Sequence, residues 1–373
     1  MRSRRPRNRS CLPSSSSSYL ARRASIGERR AAVNPCPSAR GKCPVRRTRL
    51  LRIGLVTLVV LLCVYTGAWF YLAATLRTRV DDALTALAGK GVEATCGDLS
   101  MSGFPIAIGV ECDGPRARRA GTPAALRADA FASRARFLRL GRIVSTVTGP
   151  MSARDEAGRT VDADWQTLRA STDLWRRGLE RGVLDVDRLE AKVAAPGLDG
   201  TLQLDLRRLE TSTSRRGRTL ALAVSMDGLE LSGEAVPDGL PAFELAGAAT
   251  VQGLGDALSG RYRLNPAMLR GHSGQLKQFT AKLANGASLS LTGPFAVDDE
   301  GRISGTFRLQ IADVSGWQEV VGKLLPGARD MTANAAGMLQ ALAGNDGTTS
   351  VTLKADHGRL ALGIIPVGRL PNL

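Results

Sequence analysis

The chain has 373 residues, with 51 Lys and Arg against 34 Asp and Glu, a formal charge of +17 and only 4% aromatic residues. The positive charge is concentrated in one tail, because residues 1–52 hold 15 Lys and Arg and a single acid, Glu28. Residues 53–373 are therefore nearly neutral. This distribution excludes the usual inference from a high isoelectric point to a nucleic-acid-binding domain, and we expect no nucleic-acid partner.

An apolar segment follows the tail. Residues 53–76 contain no Asp, Glu, Lys, Arg or His over 24 positions. As a helix at ~1.5 Å per residue the segment measures roughly 36 Å, more than the ~30 Å hydrocarbon core of a bilayer. Trp69, Phe70 and Tyr71 lie near its end, where aromatic rings favour the membrane interface. The segment predicts a transmembrane helix.

Charges on the two sides of this segment predict its orientation. Four arginines lie close before it, whereas Arg77 and Arg79 behind it are followed by two aspartates. By the positive-inside rule, residues 1–52 form a basic, disordered cytoplasmic tail and residues 77–373 lie outside. We therefore expect a single-pass protein of the inner membrane with its bulk in the periplasm. A cleaved signal peptide, a transit peptide or a gene start placed too far upstream are alternatives for the tail.

Two cysteines, Cys96 and Cys112, lie on the predicted outer side, on either side of Gly103-Phe104-Pro105. Apolar residues alternate with a period of two around both, which places the thiols on apolar faces of candidate strands. Because a periplasm is oxidising, we predict a disulfide between two neighbouring strands, worth ~3 kcal/mol on the loop-entropy estimate. Two unlinked buried thiols are the alternative. A metal site is not predicted, since two thiolates without a nearby His do not supply four ligands.

The outer part divides into a stalk and a domain. Residues 77–90 predict a stalk helix that continues the membrane helix to about Ala88, and residues 91–373 predict a β-rich domain in which apolar residues alternate. The alternation is clearest in residues 202–206, 220–226, 279–283, 289–291, 303–311 and 351–353. Turns at Asn285-Gly286, 298–301 and 356–358 predict sequential antiparallel hairpins.

Two helices are predicted near the C-terminus, at residues 314–325 and 331–342, because their apolar residues follow a 3.6-residue period. The predicted fold class is therefore mainly β, of the α+β kind, with one N-terminal transmembrane helix, an elongated antiparallel sheet and a few packed helices. Strands with one apolar face must cover it with the sheet itself, with helices or with something apolar from outside.

No sequence signature of a catalytic, cofactor-binding or metal site is present. Gly271-His272-Ser273-Gly274 lacks the second glycine of a nucleophile elbow, since Gln275 occupies that position. We therefore expect no cofactor and a protein that is not an enzyme. General-base roles for His272 or His357, or a carboxylate pair formed in space, are the alternatives.

An arginine-rich stretch, residues 115–142, contains eight arginines and one acid, Asp129. Solvated strand faces are one interpretation. Contact with anionic lipid headgroups is the other, because the stretch follows the stalk and each base near such a surface contributes ~1 kcal/mol. The residues predicted to make these contacts are Arg116, Arg118, Arg119, Arg134 and Arg136.

Several features occur together between about residue 50 and residue 373. They are an apolar anchor, a short helix, the segment from Cys96 through Gly103-Phe104-Pro105 to Cys112, hairpin turns ahead of Gly316-Trp317, and the terminal run from Gly358 to Gly368. In this layout the chain resembles the domain of unknown function 2125 proteins of alphaproteobacteria. That family has no assigned activity, so the resemblance implies architecture alone.

The strand rhythm is also similar to that of AsmA-like envelope proteins, which are anchored at the inner membrane and present an apolar groove to lipids; this is analogy at the level of fold. Our leading hypothesis is a membrane-anchored periplasmic protein that shields or handles lipid on an apolar sheet face. A structural module that docks onto another envelope protein is the alternative, and a hydrolase ranks third.

Overall fold

The computed structural model describes residues 45–137, 139–175, 178–256, 266–324, 336–337, 339–341, 347–363 and 365–373. Most of the predicted tail and most of the second predicted C-terminal helix, residues 331–342, lie outside these residues. Residues 45–52 of the predicted tail belong to a helix. The chain divides into Met1–Leu58, whose described part is the start of that helix, and Val59–Leu373, which holds the rest of the helix and the sheet.

The long helix, α1 (Val45–Ala88), contains the predicted membrane segment. From Leu51 it is long and apolar enough to cross a membrane, with a mean hydropathy of 2.2, and it is almost wholly exposed. From Thr66 onward its less exposed residues recur at spacings of three and four, in the order Thr66, Trp69, Ala73, Leu76, Val80 and Leu84. One stripe of the helix therefore faces the rest of the chain.

Within the described ranges, seventeen strands form one sheet. They are β1 (Val92–Thr95), β2 (Asp98–Ser102), β3 (Ala107–Asp113), β4 (Arg116–Arg119), β5 (Ala125–Arg136), β6 (Arg139–Arg154), β7 (Thr160–Trp175), β8 (Gly178–Ala194), β9 (Leu202–Arg216), β10 (Thr219–Ser232), β11 (Phe243–Val251), β12 (Ser273–Leu283), β13 (Ser288–Val297), β14 (Ile303–Ala312), β15 (Thr348–Asp356), β16 (Arg359–Leu362) and β17 (Ile365–Arg369). Every pairing is antiparallel, and from β5 to β17 each strand pairs with the next. The other edge of β5 pairs with β3 and β4.

The predicted fold class is confirmed, because the chain is mainly β with one long apolar helix and few others. The predicted turns at Asn285-Gly286, 298–301 and 356–358 connect β12 to β13, β13 to β14 and β15 to β16. The first predicted C-terminal helix is confirmed as α2 (Val314–Leu324). The carboxylate of Asp313 caps it by accepting a hydrogen bond from the amide of Gly316 at 3.2 Å.

The disulfide between Cys96 and Cys112 is present. Its placement differs from the prediction, because Cys96 lies in the connection between β1 and β2 rather than in a strand. The chain leaves β1 there, and the amide of Gly97 donates a hydrogen bond to the carbonyl of Asp113 at 2.9 Å. The disulfide therefore ties the connection that follows α1 and β1 to β3.

Replacing Cys96 and Cys112 together by Ala is expected to lower the free energy of unfolding by ~3 kcal/mol, because a cross-link of this span removes entropy from the unfolded chain. Urea unfolding of the full chain in detergent, followed by tryptophan fluorescence, measures the loss. Cys63→Ala is the matched control, since Cys63 is a free, exposed thiol on α1. Equal midpoints for the double variant and this control would contradict the prediction.

Candidate functional site

One face of the sheet carries an unbroken row of uncharged side chains across twelve strands. Direct cross-strand pairs link each member to the next from β3 to β15. We call these residues the apolar row: Cys112, Phe131, Val147, Leu168, Val186, Leu209, Met226, Leu245, Ala281, Leu289, Ile311 and Thr349. Because neighbouring strands are ~4.8 Å apart, the row extends over roughly 50 Å.

The neighbouring position on each of these strands is mostly polar. The same pairings give a second row of Glu111, Ala132, Thr146, Arg169, Asp185, Glu210, Ser225, Ala246, Thr280, Ser290, Gln310 and Ser350. Successive side chains of a strand point to opposite faces. The sheet therefore has an apolar face and a polar face over these twelve strands.

The apolar row is incompletely covered. Cys112, Val186, Ala281 and Thr349 are buried, and the other eight members are half-buried. Aliphatic and aromatic side chains in a closed core are usually removed almost completely from water. The row therefore differs from a closed core, and about two thirds of it retains apolar surface that a further apolar group can cover.

Two of the described helices pack near the ends of the strands. A short 3-10 helix (Pro266–Leu269) places Met268 against Leu220 and Val251, at the end where β10 begins and β11 finishes. Helix α2 places Val320 against Leu283 at the opposite end, where β12 finishes. These two clusters flank the middle of the strands, which carries the apolar row.

The strand pairing is irregular at adjacent positions of β7, β8, β9 and β10, next to the apolar row. Direct pairing is interrupted there, and Arg188 and Gly228 adopt left-handed φ angles of 51° and 65°. Such interruptions bend strands and increase their twist. Trp165 and Val186, from the two sides of these positions, belong to the same buried cluster. Apolar side chains on both sides of the bend therefore stay on one face of the sheet.

The structure divides the five arginines predicted to contact lipid into two groups. Arg116, Arg118 and Arg119 form β4, whereas Arg134 and Arg136 lie near the end of β5. Arg116 pairs with Arg127, seven residues before Arg134 on β5, which is roughly 23 Å at ~3.3 Å per residue. The five residues therefore do not form one patch. Arg118 and Arg119 are also in ion pairs, with Glu93 and Glu156.

In the structure, two further arginines lie beside Arg134 and Arg136, and the sequence alone does not predict that they are neighbours. Arg142 from β6 and Arg169 from β7 join Arg134 and Arg136 around a depression of about 740 Å³, which is also lined by Ile106 and other small or apolar residues. We call it the arginine groove. Only the register of β5, β6 and β7 brings these side chains together. Arg142 pairs with Asp173, with Nε 2.6 Å from the carboxylate.

Arg134 in the groove is paired with Glu111 on β3. The hydrogen bond from the Arg134 guanidinium holds the pKa of the Glu111 carboxyl below its ordinary value. The pair is therefore intact at neutral pH and is lost only as the pH falls through this lowered pKa.

Glu111→Gln is expected to lower the unfolding midpoint at pH 7, because it leaves the Arg134 guanidinium without its carboxylate. The difference from the native chain should shrink as the pH falls, since protonation of Glu111 removes the same charge from the native protein. Thermal unfolding of both chains between pH 3 and pH 7 measures it. A difference that stays constant over this range would show that the ion pair does not contribute.

The two histidines lie in separate turns. The amide of His272 donates to the carbonyl of Leu269 after the 3-10 helix, and His357 lies in the turn after β15 with Nδ1 2.9 Å from the carboxylate of Asp356. Within the described ranges no group of three or more His, Cys, Asp or Glu residues is arranged to hold a metal ion.

Comparison with known proteins places these features in a family. A sequence model described as an uncharacterized protein conserved in bacteria, domain of unknown function 2125, matches residues 69–371. The match begins at Trp69 on α1 and includes the disulfide, the apolar row and the arginine groove. No curated protein and no solved structure matches the chain significantly.

Proposed function

The chain belongs to the domain of unknown function 2125 family of uncharacterised bacterial proteins, and from its geometry we propose that it is a membrane-anchored envelope protein that shields lipid acyl chains. The half-buried apolar row carries this proposal. Covering apolar surface releases roughly 25 cal/mol per Å². A surface that continues over roughly 50 Å favours an elongated apolar ligand over a compact one.

The chemistry of the row supports an acyl chain as the ligand. Its members carry no charge, and the hydroxyl of Thr349, the one hydroxyl in the row, is already bonded to the carbonyl of Leu339 at 2.8 Å. An extended protein segment bound there would leave polar backbone groups unpaired, which costs free energy. A hydrocarbon chain has no such groups. Its polar headgroup would remain outside the row.

The position of the sheet follows from the helix that precedes it. In this proposal α1 spans the inner membrane with residues 1–52 in the cytoplasm, and the sheet lies in the periplasm, where its disulfide is stable. Lipid leaving the outer surface of that membrane would meet β3 and β5 first. We propose that the row keeps the acyl chain out of water as the lipid moves along the sheet.

Site-specific photocrosslinking tests the lipid on this face. With p-benzoylphenylalanine in place of Leu245, on the apolar row, irradiation of living cells is expected to give a covalent lipid adduct that mass spectrometry of the full chain detects. Glu244 is the matched control, because it is the preceding residue of β11, is exposed and points to the polar face. The same probe there should give no adduct.

Two other outcomes of the photocrosslinking experiment would contradict the proposal. Equal adducts at both positions would reflect general contact with the membrane and would contradict a lipid-binding face. A crosslink from Leu245 to a second protein, without a lipid adduct, would replace this proposal by the module that docks onto an envelope partner.

A further inference from the structure

The turn between β2 and β3 lies against α1 within the apolar part of that helix. The indole Nε1 of Trp69 donates a hydrogen bond to the carbonyl of Ala107 at 2.8 Å. One turn earlier, the hydroxyl of Tyr65 donates to the carbonyl of Pro105. Phe104 packs edge-on against Trp69, with 5.3 Å between ring centroids. The turn at residues 103–107 is therefore held by side chains of the predicted membrane segment.

Aromatic rings concentrate at this point. Phe70 stacks on Phe104 with 6.2 Å between centroids, and Tyr65 meets Phe137, from the turn after β5, at 6.1 Å. Only 4% of the chain is aromatic, yet five aromatic side chains contact one another here in pairs. Aromatic clusters of this kind are typical of the boundary region of a bilayer.

The outer surface of the turn is apolar. Phe104 and Ile106 are 49% and 69% exposed, and Pro105 between them is exposed as well. Residues 99–110 contain no charged side chain. Three consecutive exposed apolar residues at the tip of a hairpin are unfavourable in water and favourable in hydrocarbon.

Most carbonyl groups of the turn are bonded within the protein. Besides the carbonyls that Tyr65 and Trp69 bind, the carbonyl of Gly103 accepts from Ala107 at 2.8 Å and that of Ile106 accepts from Phe137 at 3.1 Å. Pro105 has no amide hydrogen to satisfy. Unsatisfied backbone groups are costly in hydrocarbon, and irregular backbone at membrane depth is tolerated where it is buried in protein or lines water. Protein groups satisfy four of the five carbonyls in this turn.

The depth of the turn follows from the helix. A hydrocarbon core of ~30 Å that begins at Ile53, the first apolar residue after Arg52, extends ~20 residues along a helix. Counted from Ile53, Tyr65 and Trp69 are the 13th and 17th residues of this apolar run. The groups that bind the turn are thus inside the apolar layer if α1 spans the membrane.

We propose that the turn at residues 103–107 inserts into the outer leaflet beside α1 as a second membrane element, and that the arginine groove binds the headgroups of anionic phospholipids. This inference rests on the membrane-spanning role proposed for α1. It adds a second point of attachment, so that the start of the sheet is held at the bilayer surface.

In this proposal the guanidinium groups of the arginine groove reach the level of the headgroups from strand positions beside the turn. Arg136 is the cross-strand partner of Ala107. Arg134 is the partner of Gly109, two residues further along β3 from the turn. Arginine side chains at such depths extend toward the interface. Within the described part of the chain, Arg136 and Arg169 have no carboxylate within 4 Å. Guanidinium groups bind phosphate with two parallel hydrogen bonds, so phospholipid headgroups complement these two charges.

Fluorescent labels at three cysteines test the insertion. In the full chain with Cys11, Cys36 and Cys43 replaced by Ser, the environment-sensitive dye NBD is attached at the native Cys63 on α1, or, with Cys63→Ala, at Ile106→Cys or Leu198→Cys. Leu198 lies in the turn after β8, at the opposite end of the strands from residues 103–107. In vesicles with brominated lipid, the dye should be quenched at positions 63 and 106 and not at position 198.

The three positions separate the two proposals. Quenching at 63 without quenching at 106 would overturn the insertion of the turn and leave the anchor intact. No quenching at 63 would contradict the membrane-spanning role of α1 and with it both proposals. Quenching at 198 equal to that at 106 would also overturn the insertion, because the effect would not be specific to the tip.

The headgroup site is tested by lipid selectivity. At equal mole fractions, brominated phosphatidylglycerol should quench the dye at position 106 more than brominated phosphatidylcholine does. Arg136→Gln with Arg169→Gln should weaken this preference, by about five-fold per arginine if each contributes ~1 kcal/mol. The matched control is Arg116→Gln with Arg127→Gln, a cross-strand pair at the other end of β5. A preference that the first double variant leaves unchanged, or that both variants weaken equally, would overturn the site.

Discussion

The register of consecutive hairpins is the constraint on which the rest of this structure depends. Each strand from β5 to β16 pairs with the strand that follows it. The register of each turn therefore determines which side chains of the next strand lie on each face. A slip of one residue at any turn would exchange the apolar row for the polar row beyond that point. Local groups hold the turns against such slips: the carboxylate of Asp298 accepts hydrogen bonds from the amides of Glu300 and Arg302 at 3.1 and 2.8 Å.

Strand β3 connects the separate parts of the molecule. Ala107 at its start accepts the hydrogen bond from Trp69 on α1, and Cys112 near its end carries the disulfide to the segment after β1. Cys112 is also the first member of the apolar row. The seven-residue strand β3 thus carries the contact with α1, the covalent cross-link and the beginning of the apolar face. The interactions that hold β3 in place therefore also determine where the apolar face begins.

The sequence predicts the second half of the sheet better than the first. Regular alternation with short turns identifies β9, β10 and β12 to β15, and one hairpin needs no information from distant residues. In β5 to β8 arginines and acids occupy the polar face, and the irregular positions near Arg188 shift the alternation within a strand, so a fixed period of two does not reveal these strands. The arginine groove was missed for another reason, because Arg142 and Arg169 meet Arg136 only through the register of three strands. The contact of Tyr65 with Pro105 spans forty residues and leaves no local pattern.

Sequential pairing also determines how far the apolar face extends. One added hairpin contributes two strands and lengthens the face by roughly 10 Å, and it leaves the width of the face unchanged, since that width depends on strand length. Insertion or loss of whole hairpins would therefore change the length of the face and leave its cross-section and the helix α1 unchanged. The length of the apolar face is, in this architecture, set by the number of hairpins.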